Sequence, residues 1–177
     1  MSGSAPARLI VLRHAKSAWP EEMADHDRPL ARRGRRDAPA AGRWLRTADN
    51  VPDLVICSTA QRTRETWELA APELDATPEV VFESRVYGAS GPELAQVLRA
   101  TPESRRTVLL IGHQPGVQEL VLSLAGGGDA VALDGARGKF PTSAIAVLAL
   151  PSTWARLAPG TAALTAFAIP RGLATGH

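Results

Sequence analysis

Cysteine is nearly missing from this chain: Cys57 is the single one in 177 residues. Without a second thiol there is neither an intramolecular disulfide nor a cysteine-based zinc site, and Cys57 reads as a small buried strand residue. Aromatic residues are scarce too, at 5% of the total, and they do not interleave with the basic ones. Nucleic-acid binding therefore has no support, since no reader motif accompanies the positive charge. No apolar run approaches the roughly twenty residues that a membrane span needs. Met1 through Arg8 lacks the charged-then-apolar pattern of a signal sequence, so a cytoplasmic location is the default expectation. Neither internal repeats, low-complexity tracts nor linkers divide the chain. One domain is expected over residues 8–170, with 1–7 as a disordered leader and 171–177 as a tail.

What is present is ordinary material for a globular domain: 45% hydrophobic and 21% charged residues, with a net charge of +2. That is enough chain to bury a core of its own. The densest basic stretch, Arg32-Arg33-Gly34-Arg35-Arg36, reads as the solvated start of a helix. A docking patch for an acidic partner or phosphate is the alternative.

Apolar runs and their punctuation predict strands at Arg8 through Arg13, Leu54 through Cys57, Val80 through Phe82 and Thr107 through Ile111. Between them, helices are predicted over Leu30 through Thr47, from a Ser58 or Thr59 N-cap to about Ala70, over Glu93 through Ala100, and over Pro115 through Leu124. Gly126-Gly127-Gly128 closes the last of these. Ala144 through Leu150 and Ala162 through Ile169 predict an antiparallel strand pair at one side of the sheet, with no convincing helix between them. The alternation of strand and helix predicts an α/β three-layer sandwich, a mostly parallel central sheet with helices on both faces.

Two of these strands end in histidine. Leu9-Ile10-Val11-Leu12 runs into Arg13-His14-Ala15, and Val108-Leu109-Leu110-Ile111 into Gly112-His113-Gln114-Pro115-Gly116. The carboxyl ends of strands in an open α/β sheet are where ligands bind. In one parallel sheet the two imidazoles emerge on the same rim, and Ser58-Thr59-Ala60-Gln61-Arg62-Thr63 brings an arginine to it. The loop from Lys16 through Pro29 has no period and lies over the first strand end, where it is well placed to contact substrate.

Any one of these residues alone reads more readily as structural; together they describe phosphoryl chemistry. A neutral imidazole is a competent nucleophile near pH 7, which makes His14 a candidate to carry a covalent phosphoryl group. Arg13, Arg62 and His113 supply the positive charge that phosphoryl transfer demands, with no metal or other cofactor required. Ser58 or Thr59, with the free amides of the following helix, would add hydrogen bonds to an anion. Lys16 and Arg28 are further candidate substrate contacts in the loop.

The chain at this point resembles a known family. Arg13-His14-Ala15, Ser58-x-Ala60-x-Arg62-Thr63 and Gly112-His113-x-Pro115-Gly116 are similar to the signature of the histidine phosphatase superfamily, with Ala15 in place of the usual glycine. The phosphoglycerate mutase-like fold is the one this resemblance implies. Arg13-His14-Ala15-Lys16-Ser17, Asp27-Arg28-Pro29-Leu30 with Gly34 after it, and Phe140-Pro141-Thr142-Ser143-Ala144 resemble the SixA-type phosphohistidine phosphatases. The resemblance implies His14 as nucleophile, Arg13 and Arg62 as a clamp on the phosphoryl oxygens, and His113 as a group stabilising the transferring phosphoryl from the opposite side.

Many ester-cleaving members of the superfamily carry a glutamate before an Arg-x-Tyr-Gly segment to protonate an alkoxide. Here Ser84 precedes Arg85-Val86-Tyr87-Gly88, and Glu83 is displaced by one residue, which in an extended segment turns it to the other face. Glu21, Glu22, Asp25 and Asp27 in the first loop are the alternative acids. An imidazole leaving group needs much less acid assistance, so the missing acid favours protein phosphohistidine as substrate. A small phosphorylated metabolite is the alternative partner, as a sugar phosphate or nucleotide ester. A phosphate-recognition module that binds without turnover is the reading from outside enzymology.

Overall fold

The computed structural model describes residues 6–173. Strand β1 (Ala7–Arg13) is followed by helix α1 (Arg32–Thr47), β2 (Leu54–Ser58), α2 (Gln61–Ala70), β3 (Glu79–Glu83), α3 (Gly91–Arg99), β4 (Thr107–Gly112) and α4 (Gly116–Leu124). Then come β5 (Ala125–Gly128), α5 (Ala130–Gly138), β6 (Ile145–Leu150) and β7 (Ala162–Ala168). β1 takes Ala7 from the expected leader, whose residues 1–5 lie outside the described residues, as do 174–177 of the expected tail.

All seven strands form one sheet in the order β3-β2-β4-β1-β6-β7-β5. β1, β2, β3 and β4 run parallel, and β6 opposes both β1 and β7, so β6 alone runs against the rest. The sandwich expected from the sequence, mostly parallel with helices on both faces, is the one the chain forms. Its central strands are apolar without alternation because both faces are covered. Leu9, Val11, Val108 and Leu110 pack on one side with α3, α4 and α5 residues such as Leu94, Leu120 and Ala136. Ile10, Leu12, Leu109 and Ile111 face the other way, against Ala41 and Leu45 of α1 and Trp67 of α2.

Several local expectations are corrected. The N-cap of α2 is Ala60 and no side chain caps that helix; the hydroxyls of Ser58 and Thr59 are directed to two histidines instead. Gly126-Gly127-Gly128 does not merely close α4. It forms most of β5, an edge strand beside β7, in which a side chain on Gly126 or Gly128 would collide with the backbone of Gly160 or Leu164. Helix α5 has no counterpart among the predicted elements, and Gly135 and Gly138 interrupt its helical pattern. Asp129 caps it by accepting from the Ala132 amide, and the missing side chain at Gly135 admits the Phe167 ring.

One packing detail positions the loop after β1, and another ties the end of the described chain to α1. At Gly34 in the first turn of α1, a Cβ would stand 2.1 Å from the Lys16 carbonyl oxygen, so only glycine lets α1 lie against that loop. At the far end of the chain, Arg171 and Gly172 both bind the buried Asp37 of α1, and Arg171 also donates to the Thr142 carbonyl.

Candidate functional site

The site follows from strand register. β1 and β4 are hydrogen-bonded neighbours with Arg13 opposite Gly112, so His14 and His113 leave adjacent strands at the same level. The His14 amide continues the ladder to the Gly112 carbonyl at 3.1 Å, and the two imidazole centroids lie 5.3 Å apart.

Nδ1 of His14 lies 2.7 Å from the Ala15 carbonyl oxygen. A carbonyl only accepts, so Nδ1 holds the proton and Nε2 keeps its lone pair. Burial lowers the His14 pKa to about 3; the Ala15 hydrogen bond opposes this, while His113, Arg62 and Arg13 add to it. His14 is thus a neutral imidazole held in one orientation, with the lone pair of Nε2 unprotonated. Ala15, at the departure from the superfamily's glycine, does not have a positive φ, and its methyl group packs with Leu30 and Ala38. The backbone there has no need of glycine.

An open cavity of about 210 Å³ surrounds the two imidazoles, and Arg13, Lys16, Ser17, Trp19, Arg28, Arg62, Gln114 and Thr142 complete its wall. The motif arginines are fixed from behind. Arg13 donates to the Phe140 carbonyl, which gives the Phe140-Pro141-Thr142 segment its place at the rim. Arg62 donates through Nη1 to the Asp25 carbonyl oxygen (2.7 Å) and through Nη2 to the Asp25 carboxylate (3.1 Å). Arg28 binds the other carboxylate oxygen of Asp25 at 2.8 Å, the Ala18 carbonyl at 3.0 Å and the Ser17 hydroxyl.

Ser58 and Thr59 do not line the cavity. Ser58 is 0% exposed and its Oγ sits 2.8 Å from Nε2 of His113, while accepting from the Ala60 amide at 3.3 Å. Among the described residues the Ser58 hydroxyl has no other acceptor for its proton, so it donates to Nε2, which assigns the ring proton of neutral His113 to Nδ1. Among the described residues, that Nδ1 and Nε of Arg13 are buried without a hydrogen-bond partner. Two orphaned donors on residues lining one cavity suit an oxyanion. Thr59 instead holds Nε2 of His26 at 2.9 Å, and the His26 ring stands edge-on to Tyr87.

The acids take up other roles. Glu83 is bound by Arg85 and lies off the cavity wall. Asp25 is ionised: the Tyr87 hydroxyl hydrogen bond, then those from Arg28 and Arg62, hold its carboxyl well below the usual range. A carboxylate so held accepts hydrogen bonds and does not deliver a proton. The sequence pointed to Tyr87 only as part of Arg-x-Tyr-Gly. Its pairing with Asp25 joins segments 62 residues apart.

Burial lowers His113 as well, to about 4, with Arg62 contributing after it. Unfolded histidines take up protons near pH 6.5; the folded pair does so only near pH 4 and 3. The stability these rings leave intact at pH 7 is therefore lost as pH falls from about 6.5 toward those values. In an NMR titration the ring protons of His14 and His113 are expected to hold their neutral positions from pH 7.5 to 5. A His14 midpoint near 6.5 would contradict this reading of the site.

Comparison with known proteins places this geometry. The histidine phosphatase superfamily (branch 1) model matches residues 9–86. An uncharacterized protein of Mycobacterium tuberculosis is 44% identical over 162 residues, which is 90% of this chain and 100% of the relative. The structure of a SixA from Nakamurella multipartitia, inferred to be a phosphohistidine phosphatase, superposes with a TM-score of 0.83 at 32% identity, covering 94% of this chain and 98% of that one. A SixA from Agrobacterium tumefaciens, inferred to have the same activity, gives 0.78 at 28% identity, covering 94% and 100%.

Proposed function

This chain belongs to the histidine phosphatase superfamily as a SixA-type member, and from that premise we propose that it hydrolyses protein phosphohistidine through a phospho-His14 intermediate, without a metal. The observation that carries the reading is the pairing of a neutral His14, its Nε2 free, with a site whose neighbouring carboxylate is locked in the ionised state.

In the first step Nε2 of His14 attacks phosphorus and the bond from phosphorus to the substrate ring nitrogen breaks, its electron pair staying on that nitrogen. A substrate ring protonated on its other nitrogen leaves as neutral imidazole, so no proton has to be delivered to it. An alkoxide would require one, and the ionised Asp25 has none to give. In the second step water attacks phospho-His14; the electron pair returns to Nε2, and phosphate departs with the proton of the water shared between it and solvent. Arg13, Arg62 and the Nδ1 proton of His113 face the charge on the equatorial oxygens in both steps. Ser58 acts as a positioning residue for His113, while Lys16 and Arg28 contact the substrate from the loop.

The site excludes neither a protein nor a metabolite by charge; the ionised Asp25, with no proton for an alkoxide, supports phosphohistidine. A cytoplasmic setting, with Cys57 a buried free thiol, belongs to the same reading. Among the described residues no helix is long and apolar enough to cross a membrane. The test is phosphate release, in EDTA, from a phosphohistidine-bearing domain and from a panel of sugar phosphates and nucleotides. Selective release from phosphohistidine is expected. Preference for an ester would transfer the assignment to a metabolite phosphatase, and stoichiometric binding without release would make the protein a recognition module.

A further inference from the structure

The rim of the cavity carries one indole, and its setting is unusual for a surface aromatic. Trp19 is 75% exposed, yet one face of its ring is covered by the Arg28 guanidinium, whose central carbon lies 3.3 Å from the ring centroid. The exposure therefore belongs to the opposite face and the edges. Single exposed aromatics are common on protein surfaces and need no special role. Trp19 differs because its backing group is immobilised. Arg28 is buried and tied to the Ala18 carbonyl, the Ser17 hydroxyl and Asp25, and Asp25 in turn holds Arg62. An unbroken chain of contacts runs from the indole to the phosphoryl clamp, so the platform stands at a fixed offset from the phosphorus.

Resting on the phosphohistidine reading above, we infer that the free face of Trp19 is a subsite for the planar ring that bears the phosphoryl group, and so selects phosphohistidine over phosphoramidates that lack a ring. The remainder of the cavity wall is polar or charged apart from His14 and His113, which receive the phosphoryl group itself. Whatever carries that group leaves through the open mouth, where Trp19 stands. The indole face is electron-rich and attracts cations, and a planar cation can in addition stack on it face to face. A phosphohistidine ring protonated on its distal nitrogen, the form able to leave without an acid, is such a cation. Binding on Trp19 favours the charged ring, and so the leaving group that this acid-free site can handle. An alkylammonium-type phosphoramidate such as phospholysine has no face to stack.

The experiment compares phosphohistidine and phospholysine peptides of otherwise equal sequence, with acetyl phosphate as a small ring-free donor, on wild-type protein, Trp19→Ala and Trp19→Phe. The expected result is that Trp19→Ala lowers the kcat/KM ratio of phosphohistidine to phospholysine about tenfold, mainly through KM, and that Trp19→Phe restores most of it. An equal fall on all three substrates would show a merely structural role, and an unchanged ratio would leave Trp19 without one; either overturns the inference. Equilibrium binding in a His14→Ala background separates this outcome from failure of the hydrolase reading. If the phosphohistidine peptide still binds more tightly than the phospholysine peptide, and Trp19→Ala erases that difference, the subsite stands even where wild-type protein releases no phosphate. If wild-type protein hydrolyses phosphohistidine but the two peptides bind alike with and without Trp19, the hydrolase reading stands and the subsite falls.

Discussion

Replacing His14 by alanine is expected to lower phosphate release from phosphohistidine on the order of 10⁴-fold or more, the scale on which removing a nucleophile acts when its partners are left in place. The fold should survive. His14 is buried, but among the described residues its ring makes one hydrogen bond, to the carbonyl of the next residue, Ala15. With the ring gone, Arg13, Arg62 and His113 still bind an oxyanion, so the variant retains phosphate binding while losing turnover. A rapid-quench experiment with radiolabelled substrate decides the mechanism: wild-type protein should show an acid-labile phosphoryl adduct that His14→Ala cannot form. Retained turnover in the variant would remove the covalent mechanism altogether.

Arg62 carries the second large effect. Its guanidinium is buried, and two of its five N–H groups are committed to Asp25, which leaves the rest of the fork for phosphoryl oxygens. Truncation to alanine removes those donors and also exposes the phosphoryl group to a carboxylate no longer neutralised from that side. Loss of kcat/KM by about 10³-fold is expected, at the upper end for a single preorganised donor. Arg62→Lys should recover little of this, because an ammonium keeps the charge but not a fork able to span Asp25 and the substrate at once. Steady-state kinetics on both variants test this, with phosphate inhibition as a measure of ground-state binding. A lysine variant near wild type would show that Arg62 acts as a point charge, and the fork argument would fail.

The sequence carried the centre of the site because its residues sit at strand ends. His14 and His113 each follow an apolar run, and register in a parallel pair leaves no freedom in how they emerge. It carried the two-faced core for the same reason. What it did not carry depends on contacts between loops. Asp25 is separated from Arg62 by 37 residues and from Tyr87 by 62, and nothing in either spacing marks the pair. Ser58 and Thr59 looked like helix caps because hydroxyls commonly cap, but an imidazole waited for each of them. Helix α5 was obscured by Gly135, retained for the Phe167 ring, and β5 by three glycines that permit close strand approach where a Cβ would collide. In these places tertiary packing chose residues that local preference would have rejected.

The distance between the two imidazoles is a direct expression of the β1 to β4 pairing, and neighbouring strands lie about 4.8 Å apart in every sheet. The chemical machinery is thus anchored to the least changeable dimension in protein architecture, whereas Trp19, Arg28 and Asp25 hang from an irregular segment that contributes nothing to the sheet. Reactivity and address meet at one group in that segment, the Asp25 carboxylate that holds Arg62. An exchange of residues 16–29 between relatives that keeps Asp25 in place therefore changes what the rim recognises without moving His14 or His113 from their strand ends, and is the most economical way to redirect such a site.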